Sequence, residues 1–118
     1  MNYIDGCIIP VKHANKDAYF AMASKMKDLF LKYGALRVVE TWQDNVPHGK
    51  VTDLYRAVAA TEDEGLVFSW IEWPNKEVRD IGFEKVFADE GMQMNGDSQP
   101  FDGKRMIFGS FNIMIDGS

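Results

Sequence analysis

The apolar residues between Asn15 and Gly34 recur at intervals of three and four, which is the spacing of one face of an α-helix. Asn15 is a residue type that caps helix N-termini, and Gly34 can adopt the left-handed conformation that often ends a helix. The pattern therefore predicts a long amphipathic helix between them. Its buried face consists of Tyr19, Met22, Ala23, Met26, Leu29, Phe30 and Tyr33.

Several other segments are rich in residues that favour extended structure, and a second helical pattern lies between the last two of them. The predicted strands are 3–9, 35–43, 66–73 and 105–115. The second helix is predicted over 76–88, capped by Asn75, with Val78, Ile81, Val86 and Phe87 as core positions. Residues 89–103 are polar and glycine-rich, so they predict a long loop. Segment 51–60 is ambiguous: its β-branched start favours a strand and its alanines permit a helical turn, and we interpret it as a strand.

The order of the predicted elements is that of a single α+β domain of ferredoxin-like type, βαββαβ, over residues 1–118. Right-handed crossovers place both helices on the same face of the antiparallel sheet. In the first strand, Ile4 and Ile8 share one side, and Tyr3, Asp5, Cys7 and Ile9 share the other. We assign the side with Tyr3, Cys7 and Ile9 to the face without helices. An exposed apolar sheet face requires a partner, and a second copy is the simplest, so the pattern predicts a homodimer.

Composition narrows the classes of function. The net charge of −5 disfavours binding to nucleic acids and to anionic membrane surfaces. The chain has a single cysteine, no signal-peptide pattern and no apolar run long enough for a membrane span, which together indicate the cytoplasm. The sequence contains no cluster of Cys and His at zinc spacing and no glycine-rich phosphate or dinucleotide motif, so we expect neither metal nor cofactor.

Two residues are candidates for catalysis. His48 lies between Pro47 and Gly49 in the loop 44–50, and histidine transfers protons near neutral pH; the alternative is a solvated loop residue. Glu72 lies between Ile71 and Trp73, where desolvation would raise its pKa and make it an acid or base. The alternative for Glu72 is a structural role, as a helix cap or as the partner of Arg79.

Four further residues are candidates for ligand binding: Asp5, Arg37, Trp70 and Arg105. Asp5 shares a side of its strand with apolar residues, so burial would require a partner, for which Arg37 or Arg105 is a candidate. Such a pair could orient a polar ligand or form a salt bridge in the dimer interface. Trp70 could line an aromatic pocket or belong to the core. Cys7 is interpreted as a small buried apolar residue.

Five segments carry a resemblance to a known family: 34–40 (GALRVVE), 46–53 (VPHGKVTD), 67–74 (VFSWIEWP), 76–80 (KEVRD) and 100–107 (PFDGKRMI). They resemble a small bacterial family of unknown function, the YbaA-like family. The resemblance implies a ferredoxin-like protomer of the dimeric α/β-barrel group, but it implies no activity. Three hypotheses of function therefore stay open: a dimer that binds a small organic molecule in a cleft, a cofactor-independent enzyme that is monooxygenase- or isomerase-like, and a structural or interaction module.

Overall fold

A four-stranded antiparallel sheet forms the centre of the fold, with strands in the order β2-β3-β1-β4. It is seen in a computed structural model, in which residues 2–92 and 99–117 are described. The strands are β1 (Tyr3–Lys12), β2 (Arg37–Glu40), β3 (Glu64–Trp73) and β4 (Ile107–Asn112). The helices are α1 (Lys16–Lys32), α2 (Leu54–Ala57) and α3 (Lys76–Ala88). This order confirms the ferredoxin-like prediction. Part of the predicted long loop, 93–98, lies outside the described residues.

The first helix and its predicted core face are confirmed. Tyr19, Ala23 and Phe30 of α1 are buried against the sheet. Asn15 occupies the N-cap position without a side-chain hydrogen bond, and Gly34 has a φ of 115° in the left-handed region. A chain that ends a helix in this conformation favours glycine, because side chains clash there.

The second helix, α3, begins where the sequence predicts, since the Asn75 side chain accepts a hydrogen bond from the backbone N–H of Val78. Two of its four predicted core positions are wrong: Ile81 and Phe87 are exposed. The helix instead packs through Gly82, where an added Cβ would lie 2.6 Å from the Trp73 ring. The absence of a side chain at this position lets the helix approach the indole closely.

The side chains of β1 lie on the faces of the sheet opposite to those predicted. Cys7, Ile9 and Val11 point towards α1 and pack in its core, while Ile8 points to the other side. We name the side covered by α1 and α3 the helix face and the other side the open face. The error arose because both sides of β1 are apolar, so alternation alone did not show which side the helices cover.

The interpretation of segment 51–60 as a strand is wrong, because it contains the short helix α2. The Asp53 carboxylate begins this helix by accepting the backbone N–H of Arg56, 2.8 Å away. Val58 then packs on Ile8 and Leu66 at one end of the open face. We name residues 44–60 the cap, because they cover that end of the sheet within the chain.

Candidate functional site

The middle of the open face contains a hollow whose floor is made by two glycines. Gly6 in β1 lies directly opposite Gly109 in β4, so neither strand projects a side chain there. The hollow has a volume of about 560 Å³ and an almost entirely apolar lining. Large side chains surround its floor: Ile4, Ile8, Phe68, Trp70, Ile107 and Phe111. Several of them are exposed to solvent, and such a patch on a protomer is typical of a binding surface.

Beside the hollow, three predicted site residues meet in a polar group. Trp70 lines the hollow and donates its indole N–H to Glu72, at 2.9 Å. Arg37 lies opposite Glu72 in the pairing of β2 with β3, and its Nη1 is 3.6 Å from the same carboxylate. Neither structural alternative for Glu72 is found: Arg79 contacts Asp5 and Asp80, and Asn75 caps the following helix.

Asp5 lies on the helix face, away from the hollow, and neither of its predicted partners contacts it. The guanidinium of Arg79 donates to both Asp5 oxygens at 3.1 to 3.3 Å. Trp73 donates its indole N–H at 2.9 Å, and the Ser110 hydroxyl donates as well. These contacts satisfy the carboxylate and connect β1, β3, β4 and α3, which is a structural arrangement.

Arg105 and His48 also lie apart from the polar group beside the hollow. Arg105 forms a two-point ion pair with Glu64, each N–O distance being 2.6 Å. His48 is an exposed residue of the cap that stacks on Tyr55 at 4.3 Å between ring centroids. Its Nδ1 is 3.7 Å from the Asp53 carboxylate, which is also bound by the Gly49 N–H. The six predicted site residues therefore divide into one group of three and three separate positions.

A second polar group, which the sequence analysis did not single out, lies on the helix face. The Tyr19 hydroxyl of α1 donates to the Glu40 carboxylate of β2 at 2.7 Å. Next to them, Cys7 Sγ of β1 and Ser69 Oγ of β3 are 2.7 Å apart. Four elements thus bring a carboxyl, a phenol, a hydroxyl and a thiol together inside an apolar layer.

Burial controls the ionisation of this group. Desolvation raises the pKa of Glu40, although hydrogen bonds from Tyr19 and Ser69 act in the opposite direction. Burial also raises the pKa of Tyr19, and the Glu40 charge adds to that increase. The pKa of the Cys7 thiol is raised mainly by burial, so Cys7 remains a neutral thiol rather than a nucleophilic thiolate. Glu40 is the one member of these three whose pKa is shifted towards neutral pH, because the pKa values of Cys7 and Tyr19 are raised away from it.

A small cleft beside Glu40 opens between α1 and β2 and has a volume of about 180 Å³. We name it the Glu40 cleft. Its lining is Phe20, Ala23, Ser24, Lys27, Val38 and Glu40. The signal in the sequence was that Glu40 shares a strand face with Val38 and Trp42, where a carboxyl is unusual. Its partner Tyr19 lies 21 residues away in the sequence. Their contact depends on how α1 packs on the sheet, which the sequence pattern does not give.

Within residues 2–92 and 99–117, no helix has the length and apolar character needed to cross a membrane. Within the same residues, no three side chains of His, Cys, Asp or Glu come together as potential metal ligands.

The sheet order and helix placement define an α+β protein with a ferredoxin-like fold. The chain belongs to the DUF1428 family, described as a protein of unknown function, whose model matches residues 2–103. It is 53% identical over 116 residues to the uncharacterized protein YbaA of Escherichia coli (strain K12), covering 98% of this chain and 99% of that protein. The YbaA protein of Shigella flexneri matches equally. The resemblance to the YbaA-like family is therefore confirmed.

Among solved structures, the fold is similar to that of a mutant form of SnoaB, a cofactor-independent oxygenase from Streptomyces nogalater. The TM-score is 0.54, and the match covers 98% of this chain and 95% of SnoaB. Sequence identity is 10%, so the similarity concerns the fold alone.

Proposed function

We propose that the protein is a cytoplasmic homodimer that pairs through the open face and binds a small organic molecule in the hollow. The observation that carries this proposal is the hollow itself, a concavity of about 560 Å³ in the middle of an exposed apolar face. Pockets for small organic molecules have volumes of this order and are mostly apolar, with a few polar groups at one side.

Pairing with a second copy explains how such a face exists on an acidic, water-exposed protomer. Phe68, Ile107 and Phe111 are each exposed by 42% or more, and all three point away from α1 and α3. A two-fold arrangement would cover both copies of this surface at once, because the same patch is used on each side. It would also close the hollow against water and turn it into an internal cavity.

The polar group beside the hollow, Arg37 with Glu72, supports a ligand with an acidic group. Arg37 is largely exposed, and its contact with Glu72 at 3.6 Å is long, so its guanidinium remains able to bind a carboxylate. Trp70 offers a flat apolar surface next to it. We propose Arg37, Trp70 and Glu72 as the ligand-binding residues, with an apolar body of the ligand above Gly6 and Gly109.

Native mass spectrometry of the purified protein tests both parts of this proposal. A Cβ built at Gly6 has its nearest neighbour, the Ser69 carbonyl oxygen, at 4.0 Å, so Gly6→Val fills the hollow without strain in the protomer. We expect the wild type to be a dimer that carries a reproducible extra mass, and Gly6→Val to be a dimer without it. Gly117→Val is the matched control, since nothing lies within 4 Å of Gly117.

The outcomes separate the two parts. A monomer at micromolar concentration would contradict the dimer, and a wild-type dimer without extra mass would contradict the ligand. If Gly6→Val dissociates the dimer, a side chain of the partner occupies the hollow instead of a ligand. If Gly6→Val keeps the extra mass, the ligand binds elsewhere.

A second candidate function is a cofactor-independent enzyme. The observation that favours it is the buried group around Glu40, because a desolvated carboxyl at the end of a cleft is suited to proton transfer. The oxygenase activity named for SnoaB is compatible with this candidate, at the level of the fold. Glu72 and His48 remain the alternative acid and base, and replacement of each by Gln would abolish turnover if they act.

A further inference from the structure

We propose that the Glu40 cleft is a proton-transfer site for a small carboxylic acid that carries an enolisable carbonyl group, with Glu40 as the catalytic base. The site lies on the helix face, whereas the hollow lies on the open face, so this inference is independent of the proposed dimer and its ligand. It rests on the second candidate function, for which it names the substrate class and the reaction.

The position of Glu40 supports a catalytic role. Its carboxyl is part of the cleft lining and is held by the Tyr19 hydroxyl at 2.7 Å. The Ser69 hydroxyl also stabilises the carboxylate, and the Cys7 thiol is then the donor in the contact of 2.7 Å with Ser69. Tyr19 from α1 and Ser69 from β3 therefore hold the carboxyl from the helix and from the sheet.

The cleft selects for a small, anionic ligand. Its volume of about 180 Å³ equals that of about six water molecules in the liquid, which is enough for a short-chain acid. Phe20 and Val38 give it apolar walls. Lys27 supplies a cation, and its contact with the exposed Asp28 at 3.6 Å is a weak surface pair, so it can bind a carboxylate.

The proton transfer is balanced without a cofactor. The Glu40 carboxylate takes a proton from the carbon next to the carbonyl group, and the electron pair of the broken C–H bond forms the C=C bond of an enolate. The charge moves to the carbonyl oxygen, where the Ser24 hydroxyl of the cleft can donate a hydrogen bond. Return of the proton to the oxygen gives the enol, and its return to the carbon regenerates the ketone. Solvent exchange therefore reports the first step directly.

The test uses 2-oxobutanoate in D₂O, with proton NMR to follow exchange of the hydrogens on C3. We expect the wild-type protein to accelerate exchange with saturation, and Glu40→Gln to reduce the rate by about 100-fold or more. Glu40→Gln keeps an oxygen acceptor for Tyr19, so the fold should be retained. Glu84→Gln, a variant on the outer side of α3, is the control and should exchange at the wild-type rate.

Two further variants distinguish the catalytic role from a structural one. Lys27→Met should raise the half-saturating concentration of 2-oxobutanoate while the maximal rate stays within about twofold. The wild-type rate should rise with pH to a plateau as Glu40 loses its proton. The groups facing it are Tyr19 and Lys27 from α1, Cys7 from β1 and Ser69 from β3. Tyr19→Phe removes a donor to the carboxylate, so the midpoint should move to higher pH.

The proposal is overturned if the wild type exchanges 2-oxobutanoate no faster than buffer, or if Glu40→Gln keeps the wild-type rate. It is also overturned if Lys27→Met leaves the half-saturating concentration unchanged. Loss of the extra mass in Gly6→Val has no bearing on these results, and exchange activity has none on the dimer.

Discussion

Glu64 is a buried carboxylate whose charge is balanced by a single guanidinium. Arg105 donates to both Glu64 oxygens and also to the backbone carbonyl of Ala59. These contacts connect the start of β3 to the segment that precedes β4. The hydrogen bonds from Arg105 lower the pKa of Glu64 from its ordinary 4.5 to about 2. The ionised form is therefore favoured in the folded protein more than in the unfolded chain.

We expect Glu64→Gln to lower the free energy of unfolding at pH 7 by about 2 kcal/mol, a value reduced because Arg105 is partly exposed. A group with a lowered folded pKa stabilises above its unfolded pKa and loses this effect as pH falls. The difference between wild type and variant should therefore shrink between about pH 5 and pH 2. Urea unfolding across this range measures it.

The control for this prediction is Glu62→Gln, an exposed glutamate in the turn before β3, which should unfold like the wild type. A difference between wild type and Glu64→Gln that stays constant across the whole acidic range would show that the ion pair is not its source.

The sequence predicts which residues need a partner better than it predicts which residue the partner is. Asp5 was expected to need a cation, and it has one, but the cation is Arg79 and not Arg37 or Arg105. The choice depends on where α3 packs over the sheet. Glu40 was overlooked for the same reason, because Tyr19 reaches it only through the packing of α1. Side-chain contacts between distant elements depend on how each helix is positioned on the sheet, and a single sequence does not specify that position.

Among the elements, α3 shows how the absence of a side chain determines the orientation of a helix. Apolar spacing predicted the helix and its Asn75 cap, and both are confirmed. It did not predict the buried side, because the closest approach to the sheet is made by Gly82, which has no apolar side chain to count. If α3 were rotated so that Ile81 and Phe87 faced the sheet, these larger side chains would hold the helix further from Trp73.

Gly82→Ala should destabilise the protein by about 2 kcal/mol, although the same change in an exposed helix interior stabilises by up to about 1 kcal/mol. The added methyl group would lie 2.6 Å from the Trp73 ring and 2.8 Å from the Tyr33 carbonyl oxygen. Thermal unfolding with tryptophan fluorescence measures the change. Gly117→Ala should be neutral, and a stabilised Gly82→Ala protein would mean that α3 does not pack this closely.

The cap shows a different reason for error at the level of elements. Its β-branched residues Val51 and Thr52 suggested a strand, but they lie outside α2 and are exposed. The local signals that decide its structure are Asp53 as an N-cap and Gly49, where a Cβ would lie 2.0 Å from the Thr52 carbonyl oxygen. Turn chemistry was stronger here than strand propensity.

For the whole molecule, the ferredoxin-like order of strands and helices was predictable, because long periodic segments determine it. The existence of an exposed apolar sheet face was also predicted, but the β1 side chains assigned to it lie on the other face. The face that remains open carries Phe111, which is 61% exposed, while Phe87 on α3 is 59% exposed. These two residues have the same side chain and nearly the same exposure, so they form a matched pair for testing the proposed dimer.

In the proposed dimer, the midpoint temperature should rise by about 5 °C for about a hundredfold increase in protein concentration, because folding and association are coupled. Phe111→Asp should remove this dependence by placing two charges in the paired sheets, and Phe87→Asp should preserve it. Calorimetry at several concentrations, with sedimentation velocity on each sample, provides the measurement. A dependence that Phe87→Asp abolishes and Phe111→Asp retains would place the dimer contact on the helices.

The cap has a geometric consequence for any partner of the open face. The cap covers Ile8 and Leu66 at one end of the sheet, so the surface left for pairing lies towards the other end of the strands. If the two-fold axis of the proposed dimer runs across the strands, the cap of one copy would lie beyond the free end of the other copy's sheet. The two caps then act as end stops that prevent one sheet from sliding along the other. The alignment of the subunits is in that case set by steric blocking, and single contact residues govern only how tightly they hold.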